Sequence, residues 1–275
     1  MRPTIPRLLF SAGARYNLRR MKVCFLVLGL FAAFANCAFA APAAMPAKKG
    51  FGLGERHGFG AGHLQQLRVG WFYNWGTETT AQTSVPFVPM VFSEKKLKTK
   101  ISGNFVLGFN EPDNEKQANL SAKEALAHWP TIAAKARVVG GPAMAGNPLK
   151  SEWLEEFMKA RPKVDFITVH WYKGADSRHF IKDLTEIHAK FGKPIWVTEF
   201  APQTAASSKA DPEKFSPAQV AQFVAETTRW MDMTPWVQRY AWHDSRVGTS
   251  ALFDADGKLT VAGKAYAAAG AAVAK

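Results

Sequence analysis

Short apolar runs recur along this chain, each closed by Gly, Pro or a cluster of polar aromatics, with stretches of helical spacing between them. Eight runs read as strands: Gly50–Leu53, Val69–Trp75, Phe87–Phe92, Phe105–Phe109, Arg137–Gly140, Phe166–Tyr172, Ile195–Glu199 and Arg239–Trp242. The first is weakened by its glycines. Helix signals sit between the later runs. Ser121-Ala122-Lys123-Glu124 is a capping box, and Ser216-Pro217-Ala218-Gln219 joins an N-cap to a proline at the first helical position. Phe180, Ile181, Leu184, Ile187, His188 and Phe191 share one helical face, and Gly192 follows as a stop. The Ala-rich tract Ala262 to Ala274 reads as a final helix. Strands alternating with helices predict a parallel sheet.

An open doubly wound sheet meets that alternation too, but it gathers a ligand at one switch point. Here the unusual residues recur at strand after strand, always at the C-terminal end. Trp71, Tyr73, Asn74 and Trp75 close one run; Asn110, Glu111 and Asp113 another; His170, Trp171 and Tyr172 a third; Glu199 a fourth; Trp242, His243 and Asp244 a fifth. A closed α/β fold, a (β/α)8 TIM barrel, brings those ends onto one face. The interval between Phe92 and Phe105 is short, so some outer helices are expected to be short or reduced.

Two of these ends share a design: an apolar run, a glutamate, then a proline. Asn110-Glu111-Pro112 follows Phe105 to Phe109, and Glu199 sits in Pro194 to Pro202. Proline cannot donate to a sheet ladder, which leaves each carboxylate at a strand tip. Either glutamate alone reads equally as a solvated cap on an ordinary strand; two together point to acid/base chemistry on a glycosidic bond. Counting back from Glu199, alternation puts Ile195 and Val197 on its face and turns Trp196 toward the helical layer. The same count puts His170 and Tyr172 together and Trp171 opposite. His170 fits a role beside the carboxylates or a structural hydrogen bond equally well.

Composition narrows the setting. The 275 residues are 47% hydrophobic and include nine Trp, enough for one large core with aromatic side chains left to stack on sugar faces. Met21-Lys22 opens a basic start, Val23 to Phe34 is an apolar run too short for a comfortable membrane span, and Ala38-Phe39-Ala40 is an A-x-A cleavage pattern. Residues 1–40 therefore read as a signal peptide starting at Met21 behind a possible extension, 41–48 as a Pro/Ala linker, and 49–275 as a single catalytic domain. The expected product is secreted, extracellular or periplasmic, monomeric, and without stable membrane insertion after cleavage. Removing 1–40 takes away six basic residues and no acid, which lowers the net charge from +13 to +7, and takes away both cysteines, Cys24 and Cys37. The remaining charges are scattered, which argues against a nucleic-acid partner. With no cysteine left there is neither a thiol nucleophile nor a disulfide.

Other chemistries lack their motifs. There is no H-x-H or H-E-x-x-H metal spacing, no G-x-S-x-G elbow and no phosphate loop, so neither a metal nor another cofactor is expected. Taken in order, Val69 to Trp75, Phe87 to Phe92, Leu107 to Asp113, Val139-Gly140-Gly141-Pro142-Ala143, Val169 to Tyr172 and Trp196 to Ala201 resemble glycoside hydrolase family 128 over nearly all of the chain after residue 48. The resemblance implies a (β/α)8 barrel acting on, or binding, β-1,3-glucan. It implies Glu111 as general acid/base at the fourth strand and Glu199 as nucleophile at the seventh, a retaining pair. It further implies Asn110 on the sugar 2-hydroxyl, Trp242 flooring the cleaved subsite, and Trp71, Tyr73 and Trp75 lining the groove. A non-catalytic β-1,3-glucan-binding barrel and a retaining barrel glycosidase for another polysaccharide are the alternatives. The segments Gln203 to Phe215 and Asp244-Ser245-Arg246 are where the groove ends are expected to vary.

Overall fold

Among the described residues, seven strands and six α-helices follow one another in the order β1 (Lys49–Gly52), α1 (Ala61–Leu67), β2 (Trp71–Tyr73), β3 (Phe105–Val106), α2 (Ala122–Ala133), β4 (Val138–Val139), α3 (Glu152–Lys159), β5 (Ile167–Lys173), α4 (Ser177–Phe191), β6 (Ile195–Pro202), α5 (Pro217–Met233), β7 (Val237–Trp242) and α6 (Val261–Ala268). This computed structural model describes residues 48–202, 214–243 and 248–270. The expected signal, nearly all of the linker, and the loop residues 203–213 and 244–246 lie outside the described residues.

Five strands pair in the order β2-β1-β7-β6-β5 and two as β3-β4, all parallel. Single parallel bridges join the two groups: Phe72 to Phe87, Met90 to Leu107, and Gly140 to Phe166. Pairing thus runs in a circuit through eight parallel segments, the third being the run at Phe87 to Phe92. That run makes bridges rather than a ladder because Pro86 and Pro89 have no N–H to give. No α-helix lies between β2 and β3, where the connection from Phe92 to Phe105 holds one 3-10 turn, Glu94–Lys96. The outer layer is reduced there, as the short spacing predicts.

The helix signals act as read. Ser121 and Glu124 satisfy each other's backbone N–H groups at the start of α2, Ser216 and Gln219 do the same for α5 with Pro217 in its first turn, and Gly192 ends α4 at φ 62°. Phe180, Leu184 and Ile187 bury the inner face of α4.

Two cores result. Outside the strands, beneath the helices, lie Phe51, Trp129, Trp171, Phe200, Tyr240, Trp242 and Tyr266 among others. Inside the ring lie Trp71, Tyr73, Val88, Met90, Leu107, Phe166, Trp196 and Ala241. The guanidinium of Arg239 closes the base of this inner core, 4.4 Å from the Trp196 ring centre, 4.5 Å from Phe105 and 5.3 Å from Trp71. β1 passes so close that a Cβ on Gly50 would lie 2.2 Å from the Trp71 ring, so only glycine fits.

Trp196 corrects the alternation argument. It is buried inside the ring, stacked on Phe166 with centroids 4.0 Å apart, whereas Ile195 and Val197 face the helices. The register with β5 jumps from Val169–Val197 to His170–Glu199, so Thr198 is an extra residue in β6. That bulge inverts the alternation and turns Glu199 to the inside, on the same side as Trp196.

Candidate active site

The site is built in tiers by odd-numbered residues of β2 and of the turn that follows it. Trp71 is fully buried at the base and donates its indole N–H to Lys48 O at 2.9 Å. Tyr73, above it and also fully buried, donates its hydroxyl to Thr198 O at 2.9 Å and comes within 3.4 Å of Glu199 Oε1. Trp75 is half-buried at the top and donates its indole N–H to the same Oε1 at 2.7 Å. Trp75 is therefore placed to line an opening, whereas Trp71 and Tyr73 are not; Tyr73 acts from beneath the carboxylate. Trp242 is the other correction. It lies among Phe200, Phe223 and Tyr266 under the helices and donates to Ser250 O at 3.0 Å, so it floors no subsite. On β7 the inward positions are Arg239 and Ala241, and His243 follows directly after the strand.

Tyr172, half-buried, gives its hydroxyl to the other oxygen of Glu199 at 2.5 Å. Both Glu199 oxygens thus meet donors. Burial pushes this carboxyl upward, but His170 and His243 nearby and the hydrogen bonds from Tyr172 and Trp75 outweigh it and hold it below the usual carboxylate range. Tyr73 and Tyr172 are driven the opposite way, by burial and by the Glu199 charge, and stay protonated donors.

Glu111 sits at the end of the segment that β3 opens, directly after the bridge of Asn110 to Ala143. Its backbone has a left-handed φ of 44°, its N–H donates to Ala143 O at 2.8 Å, and Pro112 is buried behind it. A non-glycine residue held there stores local strain, and Trp75 is held likewise at φ 60°. Glu111 Oε1 lies 2.8 Å from His170 Nδ1, and Asn114 Nδ2 donates to its second oxygen at 3.3 Å. His170 has a wholly buried side chain, and its other nitrogen is 3.5 Å from Glu199 Oε1. Burial lowers its pKa, but the charge of Glu199 and the hydrogen bond to Glu111 raise it further, to above the ordinary value. One ligating atom from each of Glu111, His170 and Glu199 lies within 4.8 Å of the other two.

Asn110 is buried; its amide reaches Gln117 Oε1 at 3.4 Å, and its carbonyl oxygen has no partner among the described residues. His170 Nε2 and His243 Nδ1 are likewise buried without a hydrogen-bond partner among the described residues. Two such atoms beside Glu199, on His170 and His243, mark where a polar ligand completes the set. The site therefore unites Glu111, Glu199, His170, Tyr172, Tyr73 and Trp75, with Asn110 next to Glu111 in the chain. Sequence reasoning missed two members. His243 packs 5.0 Å from Trp75 and 6.2 Å from Tyr172, and the alternation of β7 would have pointed to it in place of Trp242. Asn114 is brought to Glu111 by the tight turn after Pro112, for which the sequence offers no chemical signal.

Residues 56–266 match the family model described as glycosyl hydrolase catalytic core. A subgroup I endo-beta-1,3-glucanase of glycoside hydrolase family 128 from Amycolatopsis mediterranei, solved in complex with laminaritriose, is 32% identical, with a TM-score of 0.70 over 82% of this chain and 100% of that one. A subgroup II endo-beta-1,3-glucanase from Sorangium cellulosum is 27% identical, with a TM-score of 0.67 over 81% and 98%. Alkali-sensitive linkage protein 1 of Schizosaccharomyces pombe is 30% identical over 217 residues, which are 72% of this chain and 40% of that protein. This chain thus spans less than half of that relative. Agreement of sequence and fold across most of its length makes the chain a glycoside hydrolase, a member of the glycosyl hydrolase catalytic core family and, within it, of glycoside hydrolase family 128.

Proposed function

We propose that this chain is a secreted retaining β-1,3-glucan hydrolase, with Glu111 as general acid/base and Glu199 as nucleophile. The observation that carries the reading is the proximity of the two carboxylates, whose facing oxygens lie within 4.8 Å. Retaining pairs stand about 5–5.5 Å apart, whereas inverting pairs leave about 6.5–9.5 Å for a water. In the first step Glu111 gives its proton to the glycosidic oxygen as the bond from that oxygen to the anomeric carbon breaks. A Glu199 oxygen bonds to the same carbon from the opposite face. In the second step Glu111 takes a proton from water, the water oxygen bonds to the anomeric carbon, and the ester to Glu199 breaks. His170, His243 and the hydrogen bonds from Tyr172 and Trp75 keep Glu199 ionised, and Asn110 offers its carbonyl oxygen to the sugar 2-hydroxyl. The polymer is inferred from the relative crystallised with laminaritriose, and secretion from the Ala38-Phe39-Ala40 pattern.

Laminarin digestion followed by proton NMR tests the reading. New reducing ends should appear as the β-anomer first, with α arising only by mutarotation. Glu199→Gln should lower turnover by several orders of magnitude while the protein stays folded, and EDTA should leave the wild type unaffected. Tight binding of laminarin without new reducing ends, or α-anomer in the earliest spectra, would overturn it. Xylan, mannan and β-1,4-glucan belong in the same panel, since preferred cleavage of one of these would replace the substrate.

A further inference from the structure

We propose that Glu55 is a positioning residue for the nucleophile: its carboxylate clamps the turn at residues 74–80 in the shape that aims the Trp75 indole at Glu199. The inference rests on the reading of Glu199 given above.

Glu55 opens the 3-10 turn Glu55–His57 just after β1 and is half-buried. It does not face the carboxylate pair. Its two oxygens instead take four uncharged donors from the turn after β2: Asn74 Nδ2, Thr79 Oγ1 at 3.0 Å, Thr80 N at 2.9 Å and Thr80 Oγ1 at 2.8 Å. Burial pushes Glu55 upward, but the bonds from Asn74, Thr80 and Thr79 outweigh it, so it stays ionised. Asn74 then brackets Trp75 from both sides. Its side-chain oxygen accepts from Gly76 N at 2.9 Å, and its amide also donates to Glu78 O at 2.8 Å.

The residue enclosed by this network, Trp75, carries a left-handed φ of 60°, which a tryptophan holds only where its surroundings impose it. Its ring leans on Gly52, where a Cβ would lie 2.9 Å from it, and its N–H reaches Glu199 Oε1. The clamp spans the gap between the two flanks of Trp75, the ends of β1 and β2. A carboxylate suits the task because it accepts at both oxygens, three donors from Thr79 and Thr80 at Oε1 and Asn74 at Oε2; a glutamine would turn its amide to one of the two sides and leave the donors there unmet.

The test joins kinetics to a spectroscopic probe of Trp75. Other titratable groups facing Glu199 are His170, His243, Tyr172, Tyr73 and Glu111, and all stay in place when Glu55 is changed. Glu55→Gln should lower kcat on laminarin about ten-fold with a smaller change in KM, and should move the acid limb of kcat/KM upward by about half a unit or more as Glu199 loses a donor. Trp75→Phe should do the same, and the double variant should be no worse than the poorer single one. In the 15N–1H spectrum the Trp75 indole resonance should move on Glu55→Gln and cease to follow the Glu199 titration. Thr79→Val with Thr80→Val, which removes two donors and leaves the charge, should shift both readouts in the same direction and so covers the case in which Glu55→Gln fails to fold. An unmoved acid limb, additive effects, or an unmoved indole resonance would each overturn the proposal. Inactivity of the wild type on every polymer would instead overturn the hydrolase reading, with the indole resonance still deciding what Glu55 does.

Discussion

His170 decides most of the electrostatics of the carboxylate pair because it lies between them, 2.8 Å from Glu111 and 3.5 Å from Glu199. Its folded pKa is raised above the ordinary 6.5, so its contribution to stability is fully present below that value and is lost as pH rises through the folded one. Glu199 is depressed below 4.5, so its contribution is present above that value and is lost as pH falls through the folded one. The pair should therefore give a stability maximum on the mildly acidic side of neutral. Thermal midpoints of the wild type should decline on the alkaline side of about pH 6.5, and His170→Gln should flatten that decline while lowering the midpoint near neutrality. Parallel curves for the two proteins would mean that His170 is neutral throughout. At this scale the sequence was legible where a residue sits at a strand end: Glu111, Glu199, His170, Tyr172 and Trp75 are all brought together. Glu55 and Asn114 were not legible, because each acts through a side-chain contact that only the folded turn creates.

The elements explain which aromatic positions went astray. The apolar runs located all eight segments of the ring, and the Asn-Glu-Pro element marked the end of the fourth, whose last bridge joins Asn110 to Ala143. Which side chains face inward was harder, because alternation holds only while the ladder is regular. One extra residue at Thr198 turns Trp196 and Glu199 to the same side, and four residues along the chain separate a buried Trp71 in β2 from a functional Trp75 just past its end. The crowding at Trp71 supplies a prediction. Its ring is fixed by Tyr73, Trp196 and Arg239, with centroids 6.0 Å and 5.4 Å away for the first two. It cannot swing aside for a new methyl group. Gly50→Ala, whose Cβ would meet that ring at 2.2 Å, should cost about 3 kcal/mol, read as a shift in urea midpoint with unchanged slope. A neutral effect would mean that β1 slides past β2 freely.

Across the molecule, closure of the ring depends on the first strand meeting the last. β1 pairs with β2 on one side and β7 on the other, and the lysine that opens it and the one just before it reach the final elements. Lys48 donates to Met231 O and Thr234 O at 2.9 and 2.8 Å, and Lys49 donates to Tyr266 O, Ala267 O and Ala269 O at 3.0, 3.1 and 2.6 Å. Those last three carbonyls lie at the C-terminal end of α6, where the helix runs out of its regular donors and Tyr266 O is met in addition by Ala269 N at 3.1 Å. Contacts separated by about two hundred residues must therefore form before the ring is whole, which makes folding slow and cooperative. The carboxylate pair depends on that closure, since Glu111 comes from the fourth segment, Glu199 from the seventh, and Trp75 from the turn that Glu55 ties to β1. No half of the ring holds a complete site. Urea unfolding followed by tryptophan emission and by laminarin cleavage should accordingly trace one coincident transition. Activity lost at lower urea than emission would instead mean that the 74–80 turn or the Asn-Glu-Pro turn opens while the ring stays closed. In that case the strain held at Trp75 and Glu111 would be released locally and not through global unfolding.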